Sequence, residues 1–176
     1  MPGLPADLVH RARAGEPQAV DEFVRREWAV VWRAAYAVTA DSQLAEDAAQ
    51  ETFVRALRSL GQLRRGPVEP WLRRIAVNCA IDQLRRGPRE VVGVEHVPDL
   101  PSGHPPTDQD ADLIAAVLRL PHERRVVVVL HYWFDYTREE ISTVLGIPRG
   151  TVASRLARAL ADLHTRVREM SDASRS

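Results

Sequence analysis

Residues 136–160 read YTREEISTVLGIPRGTVASRLARAL. Thr137 followed three residues later by Glu140 forms a capping box, which satisfies free backbone N–H groups at the start of a helix. Gly146 suits the left-handed conformation that ends a helix, and Pro148 suits the first turn of the next helix. The stretch therefore predicts a helix-turn-helix, whose two helices cross steeply because the turn between them is short.

The second helix of this pair has two distinct faces when its side chains are placed at about 100° per residue. Val152, Leu156 and Ala159 form an apolar stripe that we predict to be buried. The other face carries hydroxyl and guanidinium groups near a helix N-terminus, which suits phosphate contact and recognition of base edges in the major groove. The alternative is an ordinary helix whose arginines face solvent. The predicted DNA-contacting residues are Arg149, Gly150, Thr151, Ser154, Arg155 and Arg158.

The composition excludes several classes of function. All 24 basic residues are arginine, and the absence of lysine excludes a Walker-type nucleotide site and Schiff-base chemistry. The single cysteine, Cys79, cannot form an internal disulfide or a zinc cluster by itself, and we interpret it as a buried apolar residue. We therefore expect no cofactor, no metal and no enzymatic activity. No apolar run approaches ~18 residues and no leader opens the chain, so we expect a soluble, cytoplasmic protein without membrane contact.

The net charge of zero conceals an uneven distribution. Residues 1–87, 88–112 and 113–176 carry net charges of +2, −5 and +3 when their Arg, Asp and Glu residues are counted. Residues 88–111 are also rich in proline and have no helical period, which indicates a flexible acidic linker. We expect domains at 1–87 and 112–170, followed by a disordered tail at 171–176.

The remaining segments predict an all-α fold of two small helical domains. Four consecutive valines, Val126–Val129, favour a strand by propensity, but the length of the segment from Pro121 to Trp133 and its surroundings favour a buried helix. Apolar spacing places four further helices in the first domain. These helices are expected at 6–14, 17–39, 42–60 and 70–86.

The helix predicted at 42–60 has a polar and acidic strip along one exposed side. One interpretation is purely structural, because Glu51 and Arg55 are spaced for an ion pair within the helix. The other is a docking surface for a partner, and the residues alone leave both open. The strip consists of Asp47, Gln50, Glu51, Val54, Arg55 and Arg58.

The helix predicted at 70–86 gathers an aromatic, an amide and guanidinium groups on one face. Such groups can stack on an unpaired base, hydrogen-bond to its edge and hold the nucleic-acid backbone. A solvent-facing arginine helix with a partly packed indole is an equal alternative. This face consists of Trp71, Arg74, Asn78, Asp82 and Arg85.

Four segments in order, DAAQETFVRAL, PWLRRIAVNCAIDQLRR, the acidic linker and LPHERRVVVVLHYWFDYTREEISTVLGIPRGTVASRLARAL, resemble the extracytoplasmic-function (ECF) group of bacterial sigma factors. The resemblance covers nearly the whole chain, and that group has the two domains called regions two and four. It implies binding to core RNA polymerase, through its β and β′ subunits, and to promoter DNA. It also implies an anti-sigma factor as a partner.

The resemblance implies a role for each predicted surface. The strip on the 42–60 helix would dock on the polymerase, and Trp71 and Asn78 would face a base extruded from the −10 element. The outward face of the helix-turn-helix would recognise the −35 element. The chain departs from the family pattern at Ala153, where relatives often carry a basic residue, and in the loop before Trp71, which lacks an aromatic.

Two functions from other classes compete with this interpretation. A free-standing dimeric helix-turn-helix regulator would bind a palindromic duplex unaided and would leave the Trp71 face without a role. An interaction adaptor without DNA binding would leave the face from Thr151 to Arg158 unexplained.

Overall fold

The computed structural model of the chain describes residues 4–63, 67–86 and 108–173. Within these ranges the secondary structure is helical, without strands, which confirms the all-α prediction. The helices are α1 (Ala6–Arg13), α2 (Pro17–Thr39), α3 (Ser42–Ser59), α4 (Val68–Arg86), α5 (Asp108–Leu118), α6 (His122–Tyr132), α7 (Arg138–Leu145) and α8 (Arg149–Ala173), with a 3-10 turn at Leu60–Gln62.

The chain divides into two compact units. The first unit comprises the described residues of 1–36 and 42–88, and the second comprises Ala37–Asp41 with the described residues of 89–176. The part of the predicted linker from 88 to 107 lies outside the described residues. None of the described helices is both long and apolar enough to cross a membrane.

Three helix boundaries differ from the sequence prediction by two residues or more. Helix α5 begins at Asp108, inside the predicted linker. The last proline of the linker is Pro106, and acidic residues suit the positive end of a helix. Helix α4 begins at Val68, since Pro70 still lies in the first turn, where its missing N–H has no cost. Helix α8 continues to Ala173, three residues into the predicted tail, because each added residue gains one backbone hydrogen bond.

The core of the first unit is built around Phe53 of α3. Its ring stacks on Trp28 of α2 with centroids 5.9 Å apart and meets the edge of Phe23 at 6.4 Å. Trp28 therefore packs against the core. The buried face of α3, with Ala45, Ala49 and Ala56, packs against α4.

A buried acid, Glu27 of α2, lies in the first unit and is 8% exposed. Among the described residues, its Oε2 has no hydrogen-bond partner. Burial raises the pKa of the Glu27 carboxyl, the nearby Glu69 raises it further, and Arg73, which is ion-paired with Glu69, opposes both. Glu27 is therefore a buried acid whose charge is only partly offset by Arg73.

The second unit is organised around α8, which packs against α5, α6 and α7. The four valines of α6 are helical and 0–4% exposed, so the prediction of a buried helix is confirmed. Arg125 of the same helix is 1% exposed, and its Nη1 donates to the carbonyl oxygens of Leu118 and Leu120 at 3.1 Å each. This arginine satisfies backbone acceptors at the end of α5, which a helix otherwise leaves open.

We expect Glu27→Gln to raise the midpoint of thermal unfolding at pH 7. The folded-state pKa of the Glu27 carboxyl is raised above that of an unfolded glutamate, which is about 4.3. The stability that protonation of Glu27 contributes is therefore fully present below the unfolded pKa and is lost as pH rises through the folded-state pKa. The advantage of the glutamine should therefore shrink between pH 7 and pH 4. Asp21→Asn, at an exposed acid of the same helix, is the control, and an advantage that is equal at both pH values would contradict the assignment.

We expect Thr137→Ala to destabilise the second unit by about 1 kcal/mol, because it removes one half of the capping box at the start of α7. Thr137 Oγ1 accepts from the Glu140 backbone N–H at 3.2 Å. Chemical unfolding followed by circular dichroism measures the loss. The control is Thr143→Ala on the exposed side of the same helix, where alanine is the better helix former. An equal loss in both variants would show that the cap contributes nothing.

Candidate nucleic-acid interface

The two helices of the predicted helix-turn-helix are α7 and α8. Thr137 and Glu140 form the complete capping box, with Glu140 Oε2 accepting from the Thr137 backbone N–H at 2.9 Å. Gly146 ends α7 in the left-handed conformation at φ 65°, as predicted. Pro148 lies just before α8 rather than inside it, and its carbonyl oxygen accepts from the N–H of Thr151 at 2.9 Å.

The apolar stripe of α8 is buried as predicted. Val152, Leu156 and Ala159 are 0–4% exposed. Ser154 and Arg158 lie on the opposite, exposed face, and Thr151 is half-buried at its margin. This face combines one hydroxyl and one guanidinium, which can donate to phosphate oxygens and to base edges.

Gly150 leaves the first turn of α8 open. A methyl group added at this position would meet no atom within 4 Å. No contact within the chain therefore requires a glycine here. An exposed helix N-terminus without a side chain allows another molecule to approach the backbone closely.

Arg155 lies at the edge of the exposed face rather than at its centre. Its side chain is 24% exposed, and its Nη2 donates to Glu123 Oε2 of α6 at 2.8 Å. Arg149 is also paired, with Nη1 3.3 Å from Glu139 Oε2 of α7, but both of these side chains are about two-thirds exposed. The Arg149 pair is therefore weak and easily exchanged for another anion.

The predicted face of α4 is assembled on one side of the helix. Trp71 and Asn78 are half-buried, and Arg74 and Arg85 are exposed. Asp82 differs from the others, because its Oδ2 accepts from Arg55 Nη1 of α3 at 3.1 Å, and its Oδ1 lies 3.9 Å from Arg85 Nη1. The acid of this face is therefore already compensated by two guanidinium groups.

The strip on α3 is exposed or half-buried along its length. Val54 is 44% exposed and is the apolar residue of the strip. Arg55 Nε donates to Glu51 Oε1 at 2.7 Å, so the ion pair expected within the helix is present. This hydrogen bond is the main cause that raises the pKa of Arg55. Asp47, Gln50 and Arg58 point into solvent.

In the described part of the chain, no group of three or more His, Cys, Asp or Glu side chains is arranged to hold a metal ion. Cys79 is buried, as predicted, and burial raises the pKa of its thiol. The thiol is therefore neutral and poorly nucleophilic at neutral pH.

Sequence reasoning missed the ion pairs between helices. Glu123 with Arg155, Arg124 with Asp162 and Arg55 with Asp82 each join residues on different helices. The only local signal was the presence of opposite charges, because spacing rules for ion pairs apply within one helix.

Both units of the chain match known sequence families. The family described as Sigma-70 region 2 matches residues 23–90, and the family described as Sigma-70, region 4 matches residues 110–163. The second match contains the whole helix-turn-helix up to Leu163. The first contains the strip on α3 and the Trp71 face of α4.

Curated relatives are similar over most of the chain. The ECF RNA polymerase sigma factor SigE of Mycolicibacterium smegmatis is 38% identical over 149 residues, 78% of this chain, and the chain spans 57% of the length of that relative. The ECF RNA polymerase sigma factor SigM of Mycobacterium tuberculosis is 33% identical over 165 residues, which are 90% of this chain and 82% of that protein.

A solved structure has a similar fold. The sigma factor RpoE from Bartonella quintana, crystallised with the anti-sigma factor NepR, aligns with a TM-score of 0.56 at 24% identity, covering 84% of this chain and 97% of that one. At this level of identity the similarity concerns the fold alone. The two regional matches and the extent of the similarity to SigM confirm the expected resemblance. The chain belongs to the ECF family of RNA polymerase sigma factors.

Proposed function

We propose that this sigma factor binds core RNA polymerase, through the β and β′ subunits, and directs it to promoters by melting the −10 element and recognising the −35 element. The observation that carries the proposal is the presence of sigma regions two and four, in that order, on one chain. We assign residues 1–87 to region two, helices α5 to α8 to region four, and the acidic segment between residue 87 and α5 to the connector.

We propose that the strip on α3 docks on the polymerase. An exposed apolar side chain, Val54, lies between charged and polar groups of both signs. Interfaces commonly combine a small apolar centre with a polar rim, and this strip has that composition. Asp47 and Gln50 form one end of the rim, and Arg58 forms the other.

We propose that α4 captures the opened strand of the −10 element. The half-buried indole of Trp71 offers a stacking surface, and Asn78 can donate and accept hydrogen bonds with the edge of an unpaired base. Arg74 and Arg85 are exposed on the same face, where they can contact phosphates. Capture of a base offsets the few kcal/mol that unstacking costs.

We propose that α8 enters the major groove at the −35 element. Ser154 and Arg158 face outward, Gly150 and Thr151 lie at the helix N-terminus, and Arg149 exchanges a weak pair for a phosphate. Because the net charge of the chain is zero, unaided binding to duplex DNA should be weak. The polymerase would then present both domains to the promoter.

We infer that the protein acts in the cytoplasm without membrane contact of its own, and that an anti-sigma factor controls it. The relative RpoE was crystallised with such a partner. The chain would perform no chemistry itself, because the polymerase forms the phosphodiester bonds.

The proposal is tested by transcription with purified components. The chain and core polymerase are combined on a library of promoters, with core polymerase alone as the control. Specific initiation that requires the chain supports the proposal. Absence of initiation, together with tight unaided binding to a palindromic duplex, would replace it with the dimeric regulator.

We expect Asn78→Ala to reduce initiation from duplex promoters about 10-fold, because it removes hydrogen bonds to the captured base that are made only after melting. On templates that are melted beforehand at the −10 element, the loss should be much smaller. Gln83→Ala removes an amide from the same helix about 140° away and is the matched control. Equal losses on duplex and melted templates would contradict the role in strand capture.

We expect Arg158→Ala to cost about 1–3 kcal/mol in recognition of the −35 element. The exposed guanidinium points away from the buried stripe of α8, so its removal should not affect stability. Arg168→Ala, an exposed arginine further along α8, serves as the control. The measurement compares transcription from intact and scrambled −35 elements. An unchanged ratio in Arg158→Ala would exclude this arginine from recognition.

A further inference from the structure

Two adjacent residues of α6 form ion pairs with the same edge of α8. Glu123 pairs with Arg155, and Arg124 pairs with Asp162. Arg155 and Asp162 are seven residues, or about two helical turns, apart. The two pairs have opposite polarity, since α6 contributes the carboxylate to one and the guanidinium to the other. One pair contains an arginine of the predicted DNA-binding face, and the other pair does not.

Arg155 occupies an intermediate position on α8. It follows Val152 by three residues, so it projects about 60° from that member of the buried stripe, whereas Ser154 projects about 160° from it. The side chain is 24% exposed, and the partner Glu123 is 47% exposed. The guanidinium therefore lies at the junction of α6 and α8, where its carboxylate partner holds it from the protein side.

The contact with Glu123 uses only one of the donors of the guanidinium. An arginine has five N–H donors, and the hydrogen bond to Glu123 Oε2, at 2.8 Å, uses one of them on Nη2. Fixing a long side chain before the complex forms removes the ordering cost that binding would otherwise include. A carboxylate near DNA also repels phosphates, but here a guanidinium is bonded to it.

We propose that Glu123 is a positioning residue for −35 recognition, whose carboxylate holds Arg155 at the α6 edge of α8 so that its remaining N–H groups meet a DNA phosphate. This inference rests on the proposed function of α8. Under this proposal, contacts with base edges are made by Ser154 and Arg158, which face outward. It also assigns a role in DNA binding to a residue that belongs to neither helix of the helix-turn-helix.

The test measures how strongly transcription depends on the −35 element. Holoenzymes containing the full chain are compared on promoters with an intact or a scrambled element, and the ratio of the two rates is the readout. The ratio reports a phosphate contact if α8 makes that contact only when it is seated on an intact −35 element, because the contact is then absent on the scrambled element. On this basis we expect Glu123→Ala to lower the ratio about 3- to 10-fold, and Glu123→Gln, which retains an acceptor oxygen, to lower it less. In a chain that already carries Arg155→Ala, the further substitution Glu123→Ala should change the ratio less than about 2-fold.

The neighbouring ion pair provides the structural control. Asp162→Ala breaks the contact with Arg124 between the same two helices, so it should lower thermal stability to a similar extent as Glu123→Ala but leave the ratio unchanged. An equal loss of the ratio in Asp162→Ala would show that Glu123 acts only through stability. A rise of the ratio in Glu123→Ala would show that the carboxylate competes with DNA. Either result overturns the proposal.

Failure of the proposed function gives a different result. If the ratio for the unaltered chain is already one, α8 does not recognise the element. If that ratio is high and falls in Arg158→Ala but not in Glu123→Ala, the function of α8 stands and the role of Glu123 does not.

Discussion

The burial of one stripe of α8 is the constraint on which the second unit depends. Val152, Leu156, Ala159 and Leu163 follow one another at helical spacing and are at most 7% exposed, against α5, α6 and α7. Rotation of the helix by one residue, about 100°, would bury Ala153 and Ala157 and expose the larger side chains. The apolar contacts therefore determine which face remains outside. The exposure of Ser154 and Arg158, the residues proposed to contact DNA, follows from packing and not from the polar residues themselves.

Ion pairs change the electrostatic potential of the face that packing leaves exposed. The chain contains equal numbers of acidic and basic side chains, and its arginines are paired with carboxylates at both edges of α8. Such pairs lower the positive potential that a free duplex would meet, since affinity for DNA without sequence preference depends on unpaired cationic groups. A sigma factor with this arrangement would gain its affinity from the polymerase and its selectivity from a few outward groups.

Local patterns in the sequence predicted local structure. The capping box, the left-handed Gly146 and the buried valine helix were all predictable, because each depends on residues within a few positions of one another. The boundary of α5 was less predictable, since acidic residues suit both a linker and the start of a helix. The pairs between helices could not be predicted. Arg155 and Glu123 are 32 residues apart, and Arg55 and Asp82 are 27 apart, so their contact depends on how the helices pack.

The bond between Arg55 and Asp82 connects the two surfaces of the first unit. Arg55 belongs to the strip proposed for polymerase docking, and Asp82 belongs to the face proposed for strand capture. A carboxylate facing single-stranded DNA would be unfavourable alone, yet Arg55 and Arg85 both lie close enough to offset its charge. If the polymerase contacts Arg55 or Glu51, the ion pair between Arg55 and Asp82 changes. The net charge on the face proposed for strand capture would then change as well. The proposed docking on α3 and the proposed strand capture on α4 would therefore be energetically coupled through the Arg55 side chain.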